Sequence, residues 1–121
     1  MTVVDASALL AFVQAEPGSD VVEQTLIDGA VCSAANWSEV AQKVLAAERD
    51  WDLVRTLLHS YALDVLPVTV DDAEQAARRW RRGEGRSLGD RLCLALADRL
   101  DDVALTADLS WGSDDRVCQI R

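Results

Sequence analysis

Six consecutive residues, Leu92-Cys93-Leu94-Ala95-Leu96-Ala97, are apolar. Wound into a helix they present no polar side at all, and such a helix must lie in the middle of a protein. Ser87 stands where an N-cap belongs, and Val103 to Thr106 downstream reads as a strand. The chain must therefore supply layers to cover this helix, and the remaining sequence does so.

Val3-Val4 is a short apolar run that stops at Asp5, and Ala6, Leu9, Leu10 and Val13 follow at helical spacing. This predicts a strand over 2–5 and a helix over 6–15, broken at Pro17-Gly18. Ser19 or Asp20 opens a second helix carrying Val21, Val22, Leu26 and Ile27, and Ala30 to Ser33 is a second strand. Asn36 begins a longer helix with Trp37, Val40, Ala41, Val44, Leu45 and Glu48 along one stripe and its edge. Trp51 to Tyr61 is helical with Val54, Leu57 and Leu58 inward. Val65-Leu66-Pro67-Val68 is a third strand, whose proline marks an edge or a strand end. Asp71 or Asp72 opens a helix through Ala73, Ala76, Ala77 and Trp80, and Gly83-Glu84-Gly85 is a loop. Val103 to Thr106 makes a fourth strand and Arg116 to Ile120 a fifth. Strands alternating with helices imply an α/β fold with a parallel sheet covered on both faces.

With 121 residues, half of them apolar, the chain suits one domain over 1–121 with a real core. No apolar run approaches the roughly 20 residues of a membrane helix. The start has no basic segment followed by an apolar stretch, so a cytoplasmic protein is expected. Cys32, Cys93 and Cys118 lack metal-ligand spacing and read as buried free thiols in a reducing compartment. The sole histidine, His59, reads as a helix-surface residue, and without local His or Cys partners it excludes a zinc site. The net charge of −9 argues against a non-specific nucleic-acid coat protein. Yet six of the 12 cations, Arg78, Arg79, Arg81, Arg82, Arg86 and Arg91, form one basic band.

Four acids occupy the same kind of place. Asp5 follows the first strand, Glu39 lies early in the helix after the second, Asp90 lies in the first turn of the buried helix, and Asp108 follows the fourth strand. Ligands of open α/β sheets bind outside the carboxyl ends of the strands, where helix N-termini also gather. Each acid has a second reading as a cap: Asp5 as an N-cap, Glu39 after Asn36 and Asp90 after Ser87 at capping-box spacing, and Asp108 at a turn. A helix N-terminus favours one such charge by about 0.3–1 kcal/mol, enough to account for an isolated acid. The set of four points further. Clustered carboxylates repel unless a cation neutralises them, and an all-oxygen donor set suits Mg²⁺ or Mn²⁺. Such an ion activates water and binds phosphate oxygens, so no protein nucleophile is required. Ser7 and Thr106 flank the acids and are positioned to bond ligand carboxylates or water, or else to cap backbone.

The segments bearing these acids resemble the PIN-domain nucleases, in particular the VapC-type toxins of bacterial toxin–antitoxin pairs. The resemblance runs from Val3-Val4-Asp5-Ala6-Ser7 through Ser33 to Glu39-Val40. It continues over Ser87-Leu88-Gly89-Asp90-Arg91 with the apolar helix and ends at Thr106-Ala107-Asp108. It implies a three-layer α/β/α fold around a mostly parallel sheet of four or five strands. It implies Asp5, Glu39, Asp90 and Asp108 as metal-binding acids, with Mg²⁺ or Mn²⁺ as cofactor and RNA as the substrate of endonucleolytic cleavage. It also implies a homodimer and a cognate VapB-type antitoxin that occludes the site. Trp111 departs from the family's usual phenylalanine-like residue and is expected only to pack. A further acid at Asp114 or Asp115 is a candidate support for the metal.

The arginine band has two readings. One is a solvated face with Trp80 inward. The other is a rim for RNA phosphate or for an acidic antitoxin, through Arg81, Arg82, Arg86 and Arg91. Trp37, Trp51 and Trp111 read as core or dimer-interface residues, with Trp51 the most exposed of the four tryptophans. Three rival readings fit these residues less well. A receiver-like phosphoacceptor domain needs adjacent acids after the first strand and a lysine after a late one, whereas the sole lysine, Lys43, falls inside a helix. An aspartyl-nucleophile hydrolase wants a second Asp where Ser7 stands. A catalytically inactive PIN-like module that only binds a partner would not need all four acids.

Overall fold

The computed structural model describes residues 1–113 and 116–121. The elements run β1 (Thr2–Val4), α1 (Ala6–Val13), α2 (Ser19–Asp28), β2 (Ala30–Ser33), α3 (Ala34–Ala46), α4 (Trp51–His59), β3 (Leu63–Leu66), α5 (Val70–Arg78), α6 (Leu88–Leu100), β4 (Ala104–Thr106) and β5 (Val117–Gln119). A 3₁₀ turn over Leu109–Trp111 follows β4. The strands form one sheet in the order β3-β2-β1-β4-β5, and every pairing is parallel. Among the described residues no helix is long and apolar enough to cross a membrane.

Side chains alternate across the sheet with the two-residue period of a strand. Val4, Cys32 and Leu105 face one side and join α1, α2, α3 and α4 through Leu9, Leu26, Val40 and Leu58. Val3, Val31 and Ala104 face the other side and meet α6 through Cys93, Leu94, Leu96 and Ala97. The expected three-layer α/β/α arrangement with five strands is what forms. Helix α6 is covered by the sheet on one side and by α5 on another, which accounts for its all-round apolarity. Each fully buried leucine, among them Leu9, Leu26, Leu58, Leu94 and Leu96, contributes about 1.5–3 kcal/mol over an exposed one.

Several local expectations are corrected. Helix α3 begins at Ala34, two residues before Asn36, because the Ser33 hydroxyl accepts from Ala35 N at 3.2 Å and lets β2 run straight into the helix. The third strand is Leu63–Leu66, and Pro67 lies just beyond its end, where it forfeits no ladder hydrogen bond. Helix α5 opens at Val70 because Thr69 and Asp72 form a reciprocal capping box. It ends at Arg78, so Trp80 is carried past the helix and is 52% exposed rather than inward. Trp51 is half-buried, edge-on to Trp37 at 5.2 Å, so Trp80 and not Trp51 is the exposed tryptophan. Leu57 is exposed, as are Val21 and Ile27. Cys118 is exposed because it points outward from an edge strand, whereas Cys32 and Cys93 are buried as expected. His59 is at the surface, beside the Trp37 ring at 5.1 Å. Asp114 and Asp115 lie outside the described residues.

The turn between α1 and α2 is fixed by backbone conformation. Gly18 has φ +91°, and a Cβ there would stand 2.8 Å from the Ile120 carbonyl oxygen. Ile120 is itself buried against this corner. Gly18→Ala is therefore expected to lower stability by about 1–3 kcal/mol, read as a lower midpoint in urea unfolding; an unchanged midpoint would mean that the corner adjusts freely.

Candidate active site

Strand β1 has β2 on one side and β4 on the other, with registers Val3↔Val31 and Val3↔Ala104. The chain leaves β1 toward one half of the sheet and reaches the other half only later. The carboxyl ends of β1 and β4 therefore border the crevice at which parallel sheets bind ligands. Asp5 follows β1 and Thr106 ends β4, so residues 101 positions apart meet there.

Asp5 is 3% exposed. Its carboxylate accepts hydrogen bonds from Thr106 Oγ1 at 2.6 Å, from Ser7 Oγ at 2.8 and 2.9 Å, and from Ala8 N at 2.8 Å. Each hydroxyl has one proton to give. Ser7 Oγ accepts from Ala107 N at 2.9 Å and Thr106 Oγ1 accepts from Asp108 N at 3.0 Å, and the two hydroxyls lie 3.1 Å apart, so backbone donors hold both oxygens beside Asp5. Even so, burial raises the Asp5 pKa to about 6, against the lowering by Thr106, Ala8 and Ser7, and the nearby Asp90 carboxylate adds to the rise.

Asp90 accepts from Ser87 N at 2.9 Å while Ser87 Oγ accepts from Asp90 N at 3.1 Å, a complete capping box. Glu39 is half-buried, and its Oε1 accepts from Asn36 Nδ2 at 2.7 Å. The negative fields of Asp5, Asp90 and Glu39 fall together on the buried Cys93 thiol and raise its pKa further above the ordinary value than burial alone does. The Asp90 charge thus reaches Asp5, and Glu39 lies against Gly89 in the turn that carries Asp90. Asp108 is joined to them through Thr106, but its Oδ1 is occupied by Ser110 N at 2.9 Å and Ser110 Oγ at 2.7 Å. It lines a cavity of about 480 Å³ with Ser7, Gln14, Lys43 and Arg121.

Capping and assembly are thus the same geometry: the bonds that cap α1, α6 and the 3₁₀ turn hold three of the four carboxylates in place. Among the described residues no three acids close into a cage. The donors still match a hard divalent ion, which takes one or two carboxylates directly and keeps water on its other positions. The buried, charge-disfavoured Asp5 beside Asp90 is a place where such a cation relieves repulsion.

The arginines divide. Arg86 donates to the Trp111 carbonyl at 3.1 Å and Arg91 to the Ala76 carbonyl at 2.8 Å, so both tie elements of the protein together. Arg81 and Arg82 are exposed, Arg82 lying 5.8 Å from the Trp80 ring centre. The three-residue spacing of Asn36 and Glu39, expected to form a capping box, does bring the two together, but as a side-chain pair inside the helix, since Ser33 is the N-cap.

The Asp5 pKa has a consequence for stability. A carboxyl whose folded pKa lies above its unfolded value stabilises the fold at low pH, and that stability is lost as pH rises through the folded pKa. For Asp5 the window runs from 3.8 to about 6 and the effect is about 3 kcal/mol. In metal-free protein, Asp5→Asn is expected to gain on the wild type by roughly that amount between about pH 4 and about pH 6. Paired denaturant titrations across the window check this; parallel curves for the two proteins would deny the burial cost.

Comparison with known proteins agrees with this architecture. The family model for the PIN domain matches residues 2–112. A toxin–antitoxin complex from Klebsiella pneumoniae is similar at TM-score 0.79 and 17% identity, over 100% of this chain and 98% of that one. A DNA-bound VapBC from Salmonella typhimurium gives TM-score 0.73 and 18% identity over 99% and 98%. A sarcin–ricin-loop-cleaving VapC toxin from Mycobacterium tuberculosis gives 0.67 and 17% over 86% and 87%. No curated protein matches the sequence. At these identities the solved structures speak for the fold. The family match over nearly the whole length speaks for descent: the chain belongs to the PIN-domain family.

Proposed function

We propose that this chain, as one PIN-like domain over 1–121, is a Mg²⁺- or Mn²⁺-dependent endoribonuclease and the toxin of a toxin–antitoxin pair, acting in the cytoplasm. The observation that carries the reading is the buried Asp5 at the crevice between β1 and β4, bonded across the sheet to Thr106, with Asp90 near enough to disfavour its charge and Glu39 packed against Gly89 beside Asp90. Asp5, Glu39 and Asp90 would hold the ion, with Asp108 on the far side of Thr106 as the fourth acid. When bound, the ion supplies the positive charge that acidifies an attacking water and offsets charge on the phosphate and leaving oxygen. Ser7 and Thr106 orient the Asp5 carboxylate by directing both hydroxyl protons at it. The caps at Asp5, Asp90 and Asp108 keep the carboxylates preorganised, so little rearrangement is needed on loading.

RNA as substrate is supported by the likeness to a sarcin–ricin-loop-cleaving toxin, and an antitoxin partner by the likeness to toxin–antitoxin complexes. Leu53 and Leu57, one turn apart on α4, are 66% and 42% exposed and offer apolar surface to such a partner or to a second copy in a homodimer. The exposed Arg81 and Arg82 give an otherwise acidic protein a local hold on a polyanion or on an acidic antitoxin.

Two outcomes are expected. Asp5→Asn and Asp90→Asn should each abolish RNA cleavage with the circular-dichroism spectrum retained; full activity in either purified variant would defeat the metal-site reading. Charge reversal of Arg81 and Arg82 together should weaken RNA or antitoxin binding, more at low salt than at high salt in a titration series. Unchanged binding to both ligands would make the band plain surface.

A further inference from the structure

We propose that Asn36 and Gly89 form a cradle that positions the Glu39 carboxylate, and that Gly89 is a glycine to leave room for it. The inference rests on the reading of Glu39 as a metal ligand and adds the two residues that would aim it.

Asn36 is 1% exposed, in the first turn of α3, one turn before Glu39. Its Nδ2 donates to Glu39 Oε1 at 2.7 Å and to the Gly89 carbonyl at 3.2 Å. Both partners are acceptors, so the amide is oriented with nitrogen toward them. The same side chain therefore ties Glu39 on α3 to the first turn of α6, the turn that carries Asp90. The other end of the amide is left wanting: Oδ1 is buried with no hydrogen-bond partner among the described residues. An orphaned buried acceptor is costly. An apolar residue would fill the site without that cost, so the amide is explained by its two donor bonds.

Gly89 completes the cradle from the other side. A Cβ on Gly89 would stand 2.8 Å from Glu39 Cδ and closer still to Oε1. The Glu39 carboxylate thus occupies the space that any other residue at 89 would fill. Gly89 does not have a left-handed φ, so its backbone does not ask for glycine. It sits within the first turn of α6, where alanine is the better helix former. Helix propensity and site geometry pull in opposite directions at this one position. A glycine kept against helix propensity is what a close-approaching side chain requires.

The conflict provides the test. Mn²⁺ binding to the RNA-free protein is followed by the loss of the free-ion electron paramagnetic resonance signal, with thermal unfolding of the metal-free protein alongside. Asn36→Ala and Gly89→Ala should each weaken Mn²⁺ binding by about 10–100-fold, the range for removing groups that orient ligands. Gly89→Ala should do so with an unfolding midpoint equal to or above the wild type's, which a merely structural role would not produce. Glu39→Gln serves as the control. If Glu39→Gln binds weakly while Gly89→Ala binds as the wild type does, the cradle is overturned and the ligand reading stands. If Glu39→Gln binds Mn²⁺ as tightly as the wild type, or the wild type binds none, the ligand reading itself fails and the cradle with it. Should Asn36→Ala not fold, Gly89→Ala decides alone.

Discussion

The parallel pairing of β1 with β4 is the contact on which the molecule depends. It joins Val3 to Ala104 and Val4 to Leu105 across most of the chain length, and in doing so it lays Asp5 against Thr106. Without it the sheet would have no crevice between its halves, α6 would have no middle to lie in, and the buried carboxylate would have lost its shortest hydrogen bond. Contacts of such sequence separation carry a large loop-closure cost. The apolar face of α6 against Val3, Val31 and Ala104 is what offsets it.

Around that pairing, stability and chemistry draw on the same groups. Asp5 caps α1, Asp90 caps α6 through Ser87, and Asp108 caps the 3₁₀ turn. The cap reading holds for these three acids, and it does not compete with a ligand role, because a cap needs only one carboxylate oxygen. Burial makes Asp5 costly as an anion and sets it beside Asp90. A cation removes this conflict, and a protein without one must tolerate it. Two buried thiols, Cys32 and Cys93, one in each core, have their pKa values pushed up by burial and by the nearby acids, so they act as small apolar residues.

Much of the fold was legible from periodicity. The apolar run Leu92 to Ala97 fixed the central helix, Val3-Val4-Asp5 fixed the first strand and its end, and the alternation of strands with helices fixed the layers. Legibility failed where tertiary contact outweighs local pattern. Trp80 looked inward as the next member of a helical stripe, but α5 stops at Arg78 and the ring is left outside. Leu57 fits its stripe equally well yet faces out, since only Leu58 is fully covered on that helix. Asn36 looked like a helix start because side-chain amides favour caps, while Ser33 had already taken that role.

What the sequence determined by itself was the kind and order of the elements, and which acids stand at strand ends and helix starts, because those follow from local spacing and capping chemistry. What only the tertiary structure decided was neighbourhood. The strand order β3-β2-β1-β4-β5 chose which groups are neighbours, setting Asp90 near the buried Asp5 and the Asp108 backbone on the Thr106 hydroxyl. It also set the close approach of Glu39 to Gly89, a contact between α3 and α6 with no local signature. Side-chain period and helix caps are written in consecutive residues, whereas burial, shared charge and close approach exist only once distant segments have docked.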